Sequence, residues 1–189
     1  MKESIIYKEI SESELDDYAK IPSCYRTDKK FELKKIDNGL GGISISLVDC
    51  DEYLKDFGCD VSFLKKTFDL SNWKFFVACN EEGTTIGGCT VATKTSNCTM
   101  LEKRDDLALL WDLRVAEEYK HQGIGQKLFN MAKSYAIKEG FKQFKVECQN
   151  TNPAAVKFYH KQGMNLGVIN EHAYKDFPNE VQLLWYLDL

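Results

Sequence analysis

Residues 113 to 125 read Leu-Arg-Val-Ala-Glu-Glu-Tyr-Lys-His-Gln-Gly-Ile-Gly, and a helix-like stretch over 126–139 follows at once. The preceding segment, Leu107–Val115, has the composition of a strand. A strand that feeds a glycine turn at a helix start makes an anion site. The first N–H groups of a helix have no acceptor inside it, and the macrodipole adds partial positive charge there. Gly123 and Gly125 lack a Cβ, so backbone can approach a phosphate closely. The spacing is neither Gly-x-Gly-x-x-Gly nor Gly-Lys-Ser/Thr, which excludes the usual dinucleotide and P-loop fingerprints.

The next segment, 144–163, has equally clear punctuation. Phe144, Val146 and Cys148 alternate with Lys145, Glu147 and Gln149, which predicts a strand over 142–149 with one apolar face. Asn152 suits an N-cap, Pro153 the first helical position and Gly163 the stop after a short helix. On the earlier strand, alternation puts Asp112 and Arg114 on one face, with Trp111, Leu113 and Val115 on the other.

The remaining elements are those that must hold these two segments. Residues 12–20 suit a short first helix, with Ser11 and Glu14 at capping-box spacing and Pro22 limiting its end. Residues 31–35 and 42–48 read as a strand pair around the turn dipeptide Asn38-Gly39. The stretch 51–68 reads as mostly helical and 94–104 as a loop. Residues 74–79 and 84–93 read as strands joined through Asn80-Glu81-Glu82-Gly83. Residues 163–172 and 181–187 read as two closing strands. This order predicts an α+β or mixed α/β fold: a mostly antiparallel sheet with one parallel pair and helices on its faces.

The 189 residues suggest one domain, 1–189, with enough length for a sizeable core. No apolar run approaches the ~20 residues that span a bilayer, and the first ten residues lack a signal peptide's apolar stretch. Seven cysteines stand singly at 24, 50, 59, 79, 89, 98 and 148, with no Cys-x-x-Cys. No metal site and no disulfide framework is expected, and a cytoplasmic location fits. The net charge of −4 argues against nucleic-acid binding and favours a cationic ligand.

Lys120-x-x-Gly123-x-Gly125 after Val115, followed by strand, Asn152, a short helix with Phe158-Tyr159 and Gly163, resembles the GNAT N-acetyltransferase superfamily. Lys120 stands where that pattern usually has Gln or Arg, which keeps a cation but loses the planar fork. The resemblance implies the GNAT fold, with Leu107–Val115 and 142–149 splayed apart around the pantetheine arm. It implies acetyl-CoA as co-substrate, held by Leu113, Arg114 and Val115, by Lys120, His121, Gln122, Gly123, Ile124, Gly125 and Gln126, and by Asn152 and Tyr159. Acetyl transfer to an amine needs a base for the ammonium and an acid for the leaving thiolate. The resemblance implies Glu147 as base and Tyr159 as acid. Asp112 is a second carboxylate for either the base role or holding a cation. The alternatives are a solvated Glu147, a Tyr159 that only packs its helix, and an Asp112–Arg114 pair on a sheet surface.

The segments around 111–115, 146–152, 157–160, 167–170 and 184–187 resemble the streptothricin acetyltransferases of that superfamily. The implied substrate is a small cationic amine, the β-lysine moiety of streptothricin. Asp112, Glu147, Glu180 and Trp185 are then candidates for holding it, in a monomer or homodimer that engages no nucleic acid or membrane. The other readings are a protein N-terminal or lysine acetyltransferase and a non-catalytic acyl-CoA-binding module.

Overall fold

A computed structural model describes residues 4–58 and 61–189 of the chain. In chain order the elements are β1 (Ile6–Ile10), α1 (Leu15–Ala19), β2 (Cys24–Lys35), β3 (Ile43–Asp56), α2 (Ser62–Thr67), β4 (Lys74–Cys79) and β5 (Thr85–Ala92). They continue with β6 (Leu107–Val115), α3 (Ile124–Lys138), β7 (Gln143–Gln149), α4 (Pro153–Lys161), β8 (Asn165–Asn170) and β9 (Gln182–Asp188). The chain divides into two compact units. One comprises Met1–Ser23, Phe57–Val146 and Leu187–Leu189; the other comprises Cys24–Asp56 and Glu147–Tyr186.

In the first unit the strand order is β1-β4-β5-β6-β7. Its pairs are antiparallel except β6–β7, which is parallel. That parallel ladder joins Leu107–Leu110 to Gln143–Val146 and stops there, although β6 continues to Val115. The parallel pairing thus covers only the first part of each strand. On its other side β6 stays paired with β5 up to Gly87 and Val115, with a bulge beside Trp111. A bulge re-aims the side chains that follow it, and here the next residue is Asp112.

Two adjacent glycines in β5 let helices close on both faces of this sheet. A Cβ on Gly88 would lie 2.3 Å from the Tyr18 ring of α1. A Cβ on Gly87 would lie 3.1 Å from Ile124, the first residue of α3. Glycine in a strand interior marks such a close backbone approach. α3 then buries Ile124, Leu128, Ala132 and Ala136, an i+4 stripe, and Phe129 meets Phe144 of β7 with ring centroids 5.7 Å apart.

In the second unit β9 lies between β8 and the end of β7, with β8–β9 antiparallel, and β2–β3 form a separate two-stranded ribbon. Most expected elements are present, and the capping box forms, with the Glu14 carboxylate accepting the Ser11 N–H at 2.9 Å. The helix expected over 51–68 is a correction. β3 runs to Asp56 and only Ser62–Thr67 is helical, with residues 59 and 60 outside the described set. Pairing with β2 overrides the polar composition: Tyr53 and Lys55 lie opposite Thr27 and Tyr25, and charged pairs such as Lys29–Asp49 bridge the strands. The strand pair expected over 31–35 and 42–48 is thus the distal part of a longer ribbon. β7 differs as well, because both its faces are covered. Lys145 is 2% exposed; its ammonium donates to the Met100 carbonyl at 2.9 Å and to Glu102 at 2.5 Å. Six described cysteines are free thiols, and Cys59 lies outside the described residues.

Candidate active site

The first unit carries the anion-binding geometry. The Ala116 N–H donates to the Ile86 carbonyl at 2.8 Å, which ties the end of β6 to β5. A 3-10 turn over Glu117–Tyr119 follows, and the chain then enters the left-handed region at His121 (φ 62°) and Gly123 (φ 87°). Gly123 is the N-cap of α3 and supplies no side-chain acceptor. Its carbonyl accepts the Lys127 N–H at 3.0 Å, the first bond of the helix. The N–H groups ahead of Lys127, on Ile124, Gly125 and Gln126, have no acceptor within a helix of this geometry. A Cβ on Gly123 would meet nothing within 4 Å, so the entrance is not filled at that point, and backbone N–H groups at a helix start suit an anion.

The expected loop residues have distinct surroundings. Leu113, Arg114 and Val115 pair with Cys89, Gly88 and Gly87 of β5. The Lys120 ammonium lies 2.5 Å from the Glu117 carboxylate in a surface pair, an interaction that holds little energy. The Gln122 amide donates to the Glu118 carbonyl at 3.3 Å. His121 and Gln126 are exposed, whereas Ile124 is buried beneath the helix.

Asp112 is engaged from two sides. Arg114 Nε donates to it at 2.6 Å, and the Tyr18 hydroxyl donates to the same oxygen, Oδ2. Arg114 Nη1 also donates to the Ile21 carbonyl at 3.0 Å, and its guanidinium lies 4.8 Å from the Tyr18 ring centroid. Burial, then the Asp112 charge, push the Tyr18 phenol well above its usual range, so it remains a donor. Trp111, beside the bulge, packs on Phe68 and Trp73 with centroids 5.1 and 5.3 Å away.

The second unit carries Glu147 and Tyr159. Glu147 Oε1 accepts from the Tyr174 hydroxyl and from Gln149 Nε2 at 3.2 Å. Burial and the Glu147 charge push the Tyr174 phenol well up, which keeps it protonated. Beside them, burial pushes the Cys148 thiol up as well, so it is a small core group and not a nucleophile. Asn152 caps α4 as expected, accepting the Ala155 N–H at 3.1 Å, with Pro153 next and Gly163 (φ 84°) after its end. Tyr159 is buried in the last turns of α4, edge-on to Phe158 with centroids 5.4 Å apart.

Glu180 and Trp185, both candidates for holding substrate, are also buried in this unit. Glu180 accepts from the Tyr53 hydroxyl and pairs with the Lys55 ammonium at 2.8 Å. That ammonium lies 3.2 Å from the Phe177 ring centroid. Trp185 lies on β9, and its side chain interacts with the Cys148 thiol.

Tyr18 and Tyr174 were not singled out in the sequence. For Tyr18 a signal existed in Gly87-Gly88, since consecutive glycines inside a strand announce a neighbour pressed against the backbone. Nothing local marks Tyr174, which reaches Glu147 from 27 residues away.

These features define an acetyltransferase of the GNAT class: residues 46–164 match the Acetyltransferase (GNAT) family, and the chain belongs to it. GNAT enzymes draw their acyl group from acetyl-CoA. Over 81 residues the chain is 33% identical to streptothricin acetyltransferase A of Bacillus subtilis (strain 168), covering 42% of this chain and 47% of that protein. Over 85 residues it is 31% identical to the streptothricin acetyltransferase of Escherichia coli, covering 43% and 49%. The matches thus span about half the length of these curated relatives. Among solved structures, nourseothricin acetyltransferase aligns over 97% of this chain and 98% of its own, with TM-score 0.76 and 20% identity. A Bacillus anthracis protein assigned as a streptothricin acetyltransferase, solved with acetyl coenzyme A, aligns over 98% and 100% with TM-score 0.78 and 23% identity. At these identities the structural likeness speaks for the fold.

Proposed function

We propose that residues 1–189 act as one acetyltransferase domain that moves the acetyl group of acetyl-CoA to a primary amine of a cationic small molecule, the β-lysine moiety of streptothricin. The observation that carries the donor half is the glycine-capped start of α3, placed directly after a β6 whose parallel pairing ends at Leu110. In this reading the α3 N–H groups take the diphosphate, and backbone from Leu113 to Val115 meets the pantetheine amides. The acceptor half is supported by the two curated relatives named for streptothricin.

Glu147 removes a proton from the substrate ammonium, which otherwise stays charged below pH ~10. The freed amine attacks the thioester carbonyl, forming the C–N bond, and the C–S bond breaks as the tetrahedral adduct collapses. Tyr159 gives its proton to the departing sulfur, so the products are the amide and free coenzyme A. A positioned base or acid contributes roughly 10²–10⁴-fold. Asp112, already neutralised by Arg114, suits a part in shaping β6 better than a base.

The test is to mix pure protein, acetyl-CoA and streptothricin, following free thiol and the mass of the product. Thiol release with a monoacetylated antibiotic is expected. No thiol above the blank rejects the acceptor. Turnover on peptides alone would move the assignment to protein acetylation. Saturable acetyl-CoA binding without turnover on any amine would leave an acyl-CoA-binding module.

A further inference from the structure

Glu147 does not stand alone, and the groups around it are built rather than incidental. Tyr174 and Gln149 both donate to one carboxylate oxygen, Oε1, and Gln149 Nε2 also lies 3.3 Å from the Tyr174 hydroxyl. The three side chains close a triangle. Gln149 is fixed because it belongs to β7, as Glu147 does. Tyr174 is not on a regular element; it lies in the segment between β8 and β9. That segment is clamped. The Phe177 N–H donates to the Tyr174 carbonyl at 3.2 Å, and the Glu180 N–H to the Phe177 carbonyl at 2.9 Å. Glu180 is pinned by Lys55 and Tyr53 of β3, and the Lys55 ammonium is seated on the Phe177 ring. The buried Lys55–Glu180 pair ties this segment to β3, and stranding either member would be costly.

We propose that Tyr174 is a positioning residue for the base: its hydroxyl, with the Gln149 amide, orients the Glu147 carboxylate and sets the pH at which it becomes able to accept a proton. The inference rests on the assignment of Glu147 in the proposed function. A hydrogen bond donated to a carboxylate favours its ionised form and costs it basicity, while fixing which oxygen faces the substrate. The trade is useful where the base must be ionised near neutral pH yet reach a single amine. Titratable groups coupled to this cluster include Cys148 on the same strand, held protonated by burial, and, through Cys148, Tyr25 on β2, pushed up by burial while its hydroxyl meets Thr151 at 2.9 Å. Neither titrates in the range where a carboxylate does; Glu180, which also acts on Tyr25, is told from Glu147 by the signal lost in Glu147→Gln.

Two measurements test this. The first follows carbon-13 carboxyl-labelled glutamate by NMR against pH, with the Glu147 signal identified by its loss in Glu147→Gln. Tyr174→Phe should raise the Glu147 midpoint by about one pH unit, since the lost donor favoured the charged form. An unchanged midpoint overturns the proposal whatever the enzyme's substrate. The second compares kcat/KM for streptothricin against pH at saturating acetyl-CoA. The acid limb should move up in parallel, and kcat at neutral pH should fall about tenfold, with KM for acetyl-CoA unchanged. A loss shared equally between kcat and acetyl-CoA KM, with a fixed limb, would mean Tyr174 merely supports the fold. If Tyr174→Phe does not fold, Gln149→Leu replaces it: a raised midpoint supports the proposal, and an unmoved one defeats it. If wild-type protein shows no turnover with streptothricin, the acceptor assignment fails while the NMR titration still decides the role of Tyr174.

Discussion

Asp112 and Glu147 are both half-buried carboxylates on strands, yet their surroundings differ in kind. Asp112 shares an ion pair with Arg114 and takes a second hydrogen bond from Tyr18. Glu147 accepts from a phenol and an amide, which are neutral donors. A carboxylate beside a guanidinium has its charge answered within its own unit, and protonating it leaves the cation stranded. The phenol and the amide orient the Glu147 carboxylate while carrying no charge of their own. The contrast separates a carboxylate paired with a cation on its own strand from one that takes bonds from a phenol and an amide.

The largest expected effect tests that separation directly. Glu147→Gln should lower kcat by roughly 10²–10⁴-fold while the acetyl-CoA dissociation constant stays within about twofold. Asp112→Asn should keep the Tyr18 bond and cost less than about tenfold in kcat, because that change removes a structural pair and not the base. Steady-state kinetics beside calorimetric titration with acetyl-CoA reads both. Equal losses of kcat in the two variants, with both folded, would erase the distinction.

Stability should show the opposite ranking. Arg114→Ala removes the partner of Asp112, the bond to the Ile21 carbonyl and the guanidinium over Tyr18. Stranding one member of a buried pair costs about 3 kcal/mol, which is on the order of 10 °C in Tm for a chain this size. Glu147→Gln keeps an acceptor for Tyr174 and Gln149, so its Tm should move by no more than about 2 °C. Thermal unfolding by circular dichroism checks the pair, and a larger drop in Glu147→Gln would reverse it.

Alkaline titration sharpens the comparison without kinetics. Burial and Glu180 push the Tyr53 phenol up to about 12, and Tyr18 is raised well above the usual range near ~10. A raised folded-state value means the native state binds more protons than the unfolded one above pH ~10, so stability falls as pH rises there. The loss for Tyr53 should run from pH ~10 through 12, and for Tyr18 further up. Phenolate absorbance should show Tyr53 ionising in the folded protein near that upper bound and Tyr18 only with unfolding. Tyr18→Phe and Tyr53→Phe assign the two signals, and Tyr18 ionising before unfolding would contradict its buried, donor-only role.

What was readable from the chain follows the range of the forces involved. Gly123, Asn152, Pro153 and Gly163 are local punctuation, and each occupies the cap position its type implies. The parallel pair around α3 follows from one strand, one helix and one strand in succession. The Asp112–Arg114 pair could be read from alternation, but the distant partners were out of reach: Tyr18 meets Asp112 across 94 residues, Tyr174 meets Glu147 across 27, and Lys55 meets Glu180 across 125. Such pairs are closed by topology and have no periodicity of their own. β3 was misread for a related reason: its polar stretch becomes a strand only because β2 is there to pair with it.

The smallest effect is expected at the start of α3, the proposed diphosphate site. In Gly123→Ala the added methyl has open space around it, with no atom within 4 Å, so the cost is that of holding an L-residue at φ 87°. That strain is about 1–2 kcal/mol, and the folded chain sheds part of it by letting the helix entrance relax. The relaxed entrance no longer aims its N–H groups together, so acetyl-CoA should bind about tenfold more weakly. At saturating acetyl-CoA, kcat should be unchanged, because no group that moves a proton has been touched. Calorimetric titration beside saturating kinetics separates the two terms. A fall in kcat with unchanged affinity would mean that the α3 entrance takes part in the chemistry proposed for Glu147 and Tyr159 and not in donor binding alone.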